Sequence, residues 1–542
     1  MLNARGLLPL VIVWVALADH LTRSDDFAYV NLPDNHLPQY FNAFPAQADR
    51  CLSDDECPYK KLLQSQGYDE NACWGHERNC IQEKRFSEPR CPGKNLRYVK
   101  DKTEQIETFY NQADFGYIRQ QLREMTLMCE PTYPHDSSLE CSQYLRFCRG
   151  RNLMFNFTDL PGRKEPLRYR MDVLKPGQVG GFCKFHKERL EAEAEHVSAL
   201  QSWAPELRFF EQLESQPIES GKCDVVVDKP TYIMKIDATS NMYHHFCDFF
   251  NLYASLHVNQ SHPLAFHTDV HVLIWESYTY ESAFAAAFKA FTTNTIWDLK
   301  TFSGKTVCFK NVVLPLLPRM IFGLYYNTPI ISGCEKSGLF QAFSEFMLHR
   351  LRIPIQPRKS ARKVRITFLV RRTKYRQVLN EDELYKEIAQ NPQYEVQKVA
   401  FGRGIPFMRQ LEITRNSDVL IGMHGAGLTH LLFLPNWGAV FELYNCEDPN
   451  CYMDLARLRG VKYLTWENSR KVFPEDQGHH PEGGAHAKFT NYSFDKKEFA
   501  RLVREAAEHV LNHKEFKKMI AERSEDPSGS NSDDADRGHN EL

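Results

Sequence analysis

The chain has 542 residues, of which 42% are hydrophobic and 12% aromatic, and its formal net charge is −2. A chain of this length normally forms two or three domains, and this much apolar sequence suffices for a large buried core. Because 67 basic residues are balanced by 69 acidic ones, the overall charge gives no reason to expect a nucleic-acid partner or an acidic membrane surface.

Residues 1–18 have the pattern of a secretory signal peptide. One basic residue, Arg5, precedes an apolar run from Leu7 to Leu17, and the run ends in small residues up to Ala18. Small residues there are typical of a cleavage site, and the run is short for a membrane span. We therefore predict cleavage after Ala18 and a mature chain without a membrane span in the secretory route. An uncleaved N-terminal anchor is the alternative.

Residues 19–222 form a cysteine-rich region with many loops and short helices. Nine of the 15 cysteines lie between Cys51 and Cys183, and in an oxidising compartment this density predicts disulfides. Zinc binding is the alternative for "CLSDDEC" and "CEDPNC", although neither segment has histidine partners at zinc-site spacing. The odd total leaves at least one thiol unpaired or paired between molecules.

Three sequons also fit a protein of the secretory route. They begin at Asn156, Asn259 and Asn491, and each predicts an N-glycosylation site.

Residues 223–355 are predicted to form a first α/β domain. The segments "CDVVVDKPTYIMK", "VHVLIW" and "KTVCFKNVVLPLL" resemble strands, and "ESAFAAAFKAF" resembles a helix. This alternation predicts a parallel sheet with helices on its faces.

One segment of this domain carries a group of titratable side chains. It reads "NMYHHFCDFFNLY" and places His244, His245 and Asp248 among aromatic residues. A histidine or a carboxylate here could deprotonate a serine or threonine hydroxyl, and the aromatic faces could hold a sugar ring. The alternative is a buried aromatic helix whose histidines are satisfied in the core.

Residues 362–515 are predicted to form a second α/β domain. Five strand-like segments, "VRITFLVR", "YEVQKVAF", "DVLIGM", "AVFELYN" and "VKYLTW", alternate with helix-like ones. Asn380 is the expected N-cap of the first helix, Gly460 the expected end of another, and the helix at 495–513 closes the domain. Such a doubly wound sheet binds ligands at the carboxyl ends of its strands.

A glycine-rich loop follows the third of these strands. It consists of His424, Gly425, Ala426 and Gly427, and a helix is expected after it. Glycines let the backbone approach a phosphate, and a helix N-terminus supplies N–H donors, so the loop predicts a diphosphate site. A tight turn that needs glycine only for steric reasons is the alternative.

Three further residues of this domain could contact a nucleotide. Arg371 and Arg376 follow the first strand, and Glu442 lies in the fourth strand segment. Arginine makes charge-assisted contacts with phosphate oxygens, and a carboxylate at such a strand end can accept hydrogen bonds from ribose hydroxyls. A surface basic cluster and a structural salt bridge are the alternatives.

Residues 516–542 are polar and are predicted to be a disordered tail that ends in a retention signal. The last four residues, His539, Asn540, Glu541 and Leu542, differ from the luminal retention sequence HDEL only at the second position. Together with the signal peptide they predict residence in the endoplasmic reticulum lumen and binding to a retention receptor. No G-x-S-x-G or Walker A motif occurs, so neither an α/β-hydrolase esterase nor a P-loop kinase is expected.

Several of these segments resemble the EGF-domain-specific branch of glycosyltransferase family 61. The resemblance covers residues 50–513 and rests on "VRITFLVR", "YRQVLNEDEL", "NMYHHFCDFFNLY", "LPRMIFGLYYNTPIISGC", "GHHPEGGAHAKFTNYSF" and the long run from "IGMHGAGLTHLLFLP" to "VKYLTW". It implies an inverting enzyme in which two Rossmann-like domains form a GT-B-like pair behind the cysteine-rich N-terminal region.

The resemblance also implies the reaction and the roles of the candidate residues. GlcNAc is transferred from UDP-GlcNAc to Ser or Thr of folded EGF-like domains, with Notch-like receptors and extracellular matrix proteins as acceptors. The His424–Gly427 loop and Arg371 would meet the diphosphate, and Glu442 the uridine ribose. His244 and Asp248 match the family pattern N-x-x-H-x-x-x-D on the acceptor side, where one of them would be the base.

In one respect the chain departs from its relatives. Some family members carry a D-x-D-like "DYD" where this chain has Thr293–Thr295, so a metal could not be held there by carboxylates. A divalent ion such as Mn²⁺ could still arrive with UDP, although the chain has no clear set of ligands for it. Two alternatives to the enzyme remain: a family relative acting on O-mannose glycans, and a luminal protein that binds EGF-like domains or glycans without catalysis.

Overall fold

The computed structural model describes residues 26–66, 72–94, 99–160, 166–195, 198–259, 265–319, 333–358, 360, 362–448 and 450–525. The predicted signal peptide and the predicted retention signal both lie outside these residues. So do residues 320–332, which include most of "LPRMIFGLYYNTPIISGC". The described residues form a mixed α/β structure with two large sheets, and the predicted α/β class is confirmed at this level.

Eighteen strands are described, and they are numbered in chain order. They are β1 Thr126–Glu130, β2 Ser138–Cys141, β3 Cys148–Asn156, β4 Val179–Gly181, β5 Lys184–Phe185, β6 Phe210–Gln212, β7 Val225–Val227, β8 Thr231–Met234, β9 His271–Ile274, β10 Trp297–Asp298, β11 Thr306–Leu314, β12 Val364–Leu369, β13 Tyr394–Val399, β14 Val419–Gly422, β15 Ala439–Glu442, β16 Lys462–Thr465, β17 Val472–Pro474 and β18 Tyr492–Phe494.

The α-helices pack around these strands. They are Asp26–Val30, Leu37–Ala43, Pro45–Ser53, Lys60–Gln66, Lys102–Ala113, Phe115–Arg123, Lys187–Glu193, Ala204–Leu207, Met242–Val258, Gly338–Arg350, Glu381–Ala389, Phe407–Arg415, Asn450–Arg459, Lys496–Asn512 and Lys514–Glu525.

The first sheet combines a parallel part with an antiparallel part. Its main path runs β10-β9-β8-β11-β3-β2-β1-β5, and β4, β6 and β7 pair beside it. Strands β8, β9 and β10 are parallel to each other and to β11, whereas β11 pairs with β3 antiparallel over eight residue pairs. The strands of residues 19–222 and those of residues 223–355 therefore share one sheet, a long-range pairing that local sequence patterns do not reveal.

Six disulfides reinforce this part of the molecule, as the cysteine density predicts. They are Cys51–Cys57, Cys73–Cys80, Cys91–Cys334, Cys129–Cys183, Cys141–Cys148 and Cys223–Cys308. The zinc alternative for "CLSDDEC" is therefore wrong, because both of its cysteines are oxidised. Cys247, Cys446 and Cys451 remain as free thiols.

The second sheet has five parallel strands in the order β13-β12-β14-β15-β16. They coincide with the five strands predicted from the sequence. The central strands β14 and β15 are buried along their whole length, because helices cover both faces, and this is why they appear in the sequence as unbroken apolar runs. Gly460 adopts a φ of 81° directly after the helix Asn450–Arg459, as expected for a helix C-terminus.

Several local predictions need correction. The expected helix at 281–291 is a 3₁₀ helix, Ala285–Ala290, and the one after the glycine loop is the 3₁₀ helix Ala426–Phe433. Asn380 precedes its helix but makes no side-chain cap bond. The disordered tail does not begin at residue 516, because the helix Lys514–Glu525 buries Phe516 against Trp437.

The three sequon asparagines lie at the ends of elements or in loops. Asn156 is the last residue of β3. Asn259 follows the helix Met242–Val258 and donates to the Tyr232 hydroxyl at 3.2 Å, and Asn491 donates to Glu475 at 2.8 Å. Glycosylation at these positions stays a prediction. In the part of the chain that the structure describes, none of the helices combines the length and the apolar character needed to cross a membrane.

Buried neutral histidines should make the fold sensitive to acid. Burial lowers the pKa of His257 well below 6.5, that of His430 to about 4 and that of His245 to about 3. Below about pH 6.5 the unfolded chain therefore binds protons that the folded chain does not, and stability falls by up to about 1.4 kcal/mol per histidine per pH unit. We expect urea midpoints to drop between pH 7.5 and pH 5.5.

His257→Phe provides the matched variant for this prediction. Neither ring nitrogen of His257 has a hydrogen-bond partner among the described residues, and its ring packs on Trp74, Phe115 and Tyr253. The variant should be less sensitive to acid than the wild type. An equal loss of stability on acidification in both proteins would contradict the assignment.

Candidate active site

The acceptor-side residues lie beyond the carboxyl end of β8. After this strand the chain turns at Asp237 and enters the helix Met242–Val258, whose N-cap Asn241 accepts from the Tyr243 N–H at 3.0 Å. The first turn of that helix places His244 beside Asp237, with 2.8 Å between Nδ1 and Oδ2. The His244 side chain is partly exposed, whereas the Asp237 side chain is buried. A partly exposed histidine is thus held in place by a buried carboxylate.

Asp237 stays ionised because two cationic or donor groups face it. Burial alone would raise its pKa, but the hydrogen bond from His244 and the positive charge of Arg319 lower it overall. Arg319 Nη2 lies 2.7 Å from Asp237 Oδ1. Since a carboxylate only accepts hydrogen bonds, neutral His244 carries its proton on Nδ1 and presents Nε2 as the basic nitrogen.

Asp248, the other predicted catalytic residue, occupies a different position. Its side chain is fully buried, and its oxygens accept from the Asp237 N–H at 3.1 and 3.2 Å and lie 3.0 Å from His245 Nδ1. Burial raises the pKa of Asp248 well above its ordinary value. Asp248 therefore positions the backbone of Asp237 and does not reach the cleft.

A buried ion pair lies just before Asp237 in the chain. Lys235 Nζ is 2.7 Å from Glu206 Oε1 and donates to the Ala199 carbonyl at 2.8 Å. Both side chains are almost completely buried, and burial lowers the pKa of Lys235 and raises that of Glu206. The pair ties the end of β8 to the helix Ala204–Leu207.

Removing one member of this ion pair should destabilise the folded protein strongly. We expect Lys235→Met to lower the free energy of unfolding by about 3–5 kcal/mol, because it leaves a buried carboxylate without a partner. Combining Lys235→Met with Glu206→Leu should recover most of the loss. Urea denaturation of the single and double variants tests this, and equal stabilities for the two would contradict it.

The donor-side loop comes at the carboxyl end of β14. Gly425 has a φ of 146°, a backbone conformation that favours glycine. A Cβ atom on Gly425 would lie 2.2 Å from Nη1 of Arg371, so glycine is required for the arginine to approach the loop backbone. The structure thus brings the predicted loop and the predicted arginine into direct contact.

Two arginines converge on the same carbonyl group of this loop. Nη1 of Arg371 donates to the His424 oxygen at 3.3 Å, and Nη1 of Arg376 donates to it at 3.0 Å. Neither arginine forms a salt bridge to a described carboxylate. Burial and the charge of Arg376 lower the pKa of Arg371 to about 10. Two half-buried, like-charged guanidinium groups with no acidic partner among the described residues form a site suited to an anion.

Arg376 also holds a strained backbone. Its φ is 60°, which is uncommon for a side chain other than glycine or asparagine. A hydrogen bond from its N–H to the Thr490 carbonyl, at 2.7 Å, stabilises this conformation. Such strain clusters at ligand-binding sites.

Glu442 is engaged by protein groups and faces away from solvent. It is fully buried, with Oε1 2.7 Å from His424 Nδ1 and Oε2 accepting from the Tyr463 hydroxyl at 2.5 Å. It therefore orients the His424 ring, whose Nε2 lies 3.8 Å from Asp448. In this geometry Glu442 acts on the loop through the ring of His424, which is itself buried.

Aromatic side chains connect the two sets of residues. The ring of Tyr243, next to His244, packs against Tyr452 with centroids 5.8 Å apart, and Tyr452 packs against His424 at 5.4 Å. Deeper in the molecule Phe246 packs against Phe433 at 5.6 Å. These ring contacts thus link the helix that carries His244 to the loop that carries His424.

The segment Thr293–Thr295 lies at a different edge of the first sheet. Asn294 donates to Asp269 at 3.0 Å and to the Val270 carbonyl at 2.9 Å, so it lies before the amino end of β9. Asp237, by contrast, follows the carboxyl end of the neighbouring strand. Within the described ranges one group of side chains has metal-ligand spacing, formed by Cys73, Glu77 and Cys80. Its two cysteines form a disulfide and are not available as thiolate ligands.

Sequence reasoning missed Asp237 and Arg319. Asp237 lies two residues beyond the strand-like segment "CDVVVDKPTYIMK", so the rule that drew attention to Arg371, a polar residue after a strand, could have found it. No local pattern identifies Arg319 or Tyr452 as site residues, because they reach the site only through the packing of distant segments.

Comparison with known proteins agrees with this geometry. A sequence model of the family Glycosyltransferase 61 matches residues 242–441, which begin at the helix carrying His244 and end one residue before Glu442. The chain is 60% identical to the EGF domain-specific O-linked N-acetylglucosamine transferase of Drosophila melanogaster over 95% of its own length and 98% of the relative's.

Vertebrate relatives of the same name are also similar. The proteins of Rattus norvegicus and Xenopus laevis are 49% and 47% identical, each over 91% of this chain and 92% of theirs. These matches confirm the resemblance predicted from the motifs. The protein is therefore a glycosyltransferase and belongs to the EGF domain-specific O-linked N-acetylglucosamine transferases of glycosyltransferase family 61.

Proposed function

We propose that the protein transfers GlcNAc from UDP-GlcNAc to a Ser or Thr hydroxyl of a folded EGF-like domain, with inversion at the anomeric carbon. The observation that carries this proposal is the pair Arg371 and Arg376, two guanidinium groups that meet at the His424 carbonyl and form no salt bridge to a described carboxylate. One side offers an anion site for the leaving diphosphate, and the other offers a base for the acceptor.

On the donor side, the diphosphate of UDP binds against the Gly425 turn. Arg371 and Arg376 neutralise its charge, and the backbone approaches it closely because Gly425 has no side chain. In this role the arginines stabilise the negative charge that develops on UDP as the sugar departs. His424, oriented by Glu442, presents its ring to the same ligand.

On the acceptor side, His244 acts as the general base. The acceptor oxygen attacks the anomeric carbon, the bond from that carbon to the phosphate oxygen breaks, and the hydroxyl proton passes to His244 Nε2. Asp237 stabilises the imidazolium that forms, as a buried carboxylate does for a catalytic histidine. A single displacement of this kind inverts the configuration at the anomeric carbon.

The wider assignments belong to the same proposal. The sheet of β8–β11 and the sheet of β12–β16 act as a GT-B-like pair, with the acceptor on the first and the nucleotide sugar on the second. The reaction takes place in the lumen of the endoplasmic reticulum, where the terminal HNEL sequence binds a retention receptor. Notch-like receptors and matrix proteins supply the acceptor domains, since the relatives are named for EGF domains.

Among the described residues, no evident set of ligands for a divalent ion lies at this site. Thr293–Thr295 offer no carboxylate, and Glu442 is held by His424 and Tyr463. We propose that arginine and loop dipoles carry most of the charge stabilisation, and that any Mn²⁺ present is bound mainly by the diphosphate.

Mass spectrometry of a folded EGF-like domain incubated with the protein and UDP-GlcNAc tests the proposal. We expect a gain of one N-acetylhexosamine on Ser or Thr, with and without EDTA. A gain abolished by EDTA would show that a metal is required and would overturn the arginine-based stabilisation. No gain under any condition, beside an active relative as control, would overturn the proposed reaction.

A further inference from the structure

Two exposed tyrosines lie at the edge of the first sheet that also carries the candidate base. Tyr169 is 47% exposed and Tyr278 is 43% exposed. Tyr169 ends the short 3₁₀ helix Leu167–Tyr169, and Tyr278 follows the carboxyl end of β9. Both therefore lie at the edge of the first sheet that carries Asp237.

One arginine–glutamate pair fixes both tyrosines. Arg168 Nη1 lies 2.8 Å from Glu276 Oε1 and also donates to the Tyr278 hydroxyl. The Arg168 guanidinium carbon lies over the Tyr169 ring, 4.7 Å from its centroid. Glu276 is itself buried and accepts the Leu167 N–H at 2.8 Å. The rings are thus exposed to solvent but held from beneath.

This surface is continuous with the catalytic residues. The Tyr169 hydroxyl donates to the backbone carbonyl of Asp237 at 3.3 Å, and the carboxylate of Asp237 holds His244. Two residues beyond Tyr278, the Tyr280 hydroxyl lies 2.6 Å from Nε2 of His245. A molecule that rests on the two rings would therefore lie at the sheet edge that also carries the candidate base.

The chemistry of the surface fits a protein partner. Tyrosine and arginine are enriched where proteins bind each other, and rings that are already ordered lose little conformational entropy on binding. A nucleotide sugar does not need this surface, because its anion site lies on the second sheet. The exposed faces of the two rings are available to a protein partner that places a hydroxyl at His244.

We infer that Tyr169 and Tyr278 form the docking surface for the polypeptide that surrounds the acceptor hydroxyl in a folded EGF-like domain. This inference rests on the proposed function and adds the position at which the acceptor is recognised. Arg168 and Glu276 act as positioning residues for the two rings.

Steady-state kinetics with a folded EGF-like domain tests the inference. We expect Tyr169→Ala combined with Tyr278→Ala to raise the acceptor KM about tenfold or more, while kcat at saturating acceptor changes less than about threefold. UDP affinity by calorimetry should not change. Tyr169→Phe combined with Tyr278→Phe retains the rings and should stay within about threefold of the wild-type KM. Tyr133→Ala, which removes a 68% exposed tyrosine from the β1–β2 connection, is the matched control.

Three results would overturn the inference. An unchanged acceptor KM in the double alanine variant would show that the rings do not contact the acceptor. An equal rise of the acceptor KM in Tyr133→Ala would show that the effect does not depend on the position of the tyrosine. A loss of UDP affinity in the double alanine variant would place the effect in the donor site. A wild-type protein that transfers no GlcNAc would instead overturn the proposed function, and the two failures are thus distinguishable.

Discussion

Arg371→Ala is expected to weaken UDP binding by about 10- to 100-fold, which corresponds to the loss of hydrogen bonds to a charged group worth about 1.5–3 kcal/mol. The guanidinium of Arg371 contacts the loop carbonyl of His424 and has no described carboxylate partner, so its charge is available to a bound diphosphate. Isothermal titration calorimetry with UDP measures the effect.

The stability of the same variant provides a second readout. The pKa of Arg371 is lowered by burial and by the neighbouring charge of Arg376. Repulsion between the two cations therefore destabilises the ligand-free protein. Removing one of them should leave thermal stability unchanged or raise it slightly. Wild-type UDP affinity in Arg371→Ala would contradict the assignment of the diphosphate site.

Arg372→Ala is the matched control. Arg372 is the next residue in the chain, but it is exposed and paired with Glu381 at 2.8 and 3.0 Å. Its removal should not change UDP affinity. A comparable loss in both variants would indicate a general effect of positive charge rather than a contact made by Arg371.

His244→Ala is expected to lower kcat for transfer by about 100- to 10,000-fold, the usual contribution of a general base. UDP affinity should stay unchanged, because the proposed base lies on the first sheet, whereas the proposed diphosphate site lies on the second. Rates of GlcNAc transfer under saturating donor and acceptor measure the effect. Wild-type kcat in this variant would exclude His244 as the base.

Asp237→Asn tests whether Asp237 controls the protonation of His244, because this variant keeps the histidine and changes only its partner. An amide in place of the carboxylate can donate to Nδ1 of His244, which would move the histidine proton to Nε2 and remove the basic nitrogen from the cleft. We expect a loss of kcat close to that of His244→Ala. Asp172→Asn removes an exposed carboxylate that pairs with Arg170 at 2.6 Å and should leave kcat unchanged.

The sequence by itself determined most of the second α/β sheet and the donor loop. Strands β12 to β16 are predicted correctly because parallel strands covered on both faces appear as short apolar runs between amphipathic helices. The carboxyl ends of such strands meet at one edge. A residue placed after one strand, such as Arg371, therefore had to lie near the glycine loop that follows another.

Only the tertiary structure decided which titratable side chains face the cleft. His244 and His245 are neighbours in the chain, yet successive positions on a helix point about 100° apart. One reaches the surface against Asp237, and the other is buried against Asp248. The pattern that singled out both His244 and Asp248 could not separate a surface group from its buried support.

The same limit applies to Glu442 and to the first sheet. Glu442 lies at a ligand-binding edge, but His424 and Tyr463 occupy both of its oxygens. The antiparallel pairing of β3 with β11 joins segments about 150 residues apart. Local periodicity specifies which residues form strands and which face is apolar, whereas the choice of partners depends on long-range burial that no short window of sequence contains.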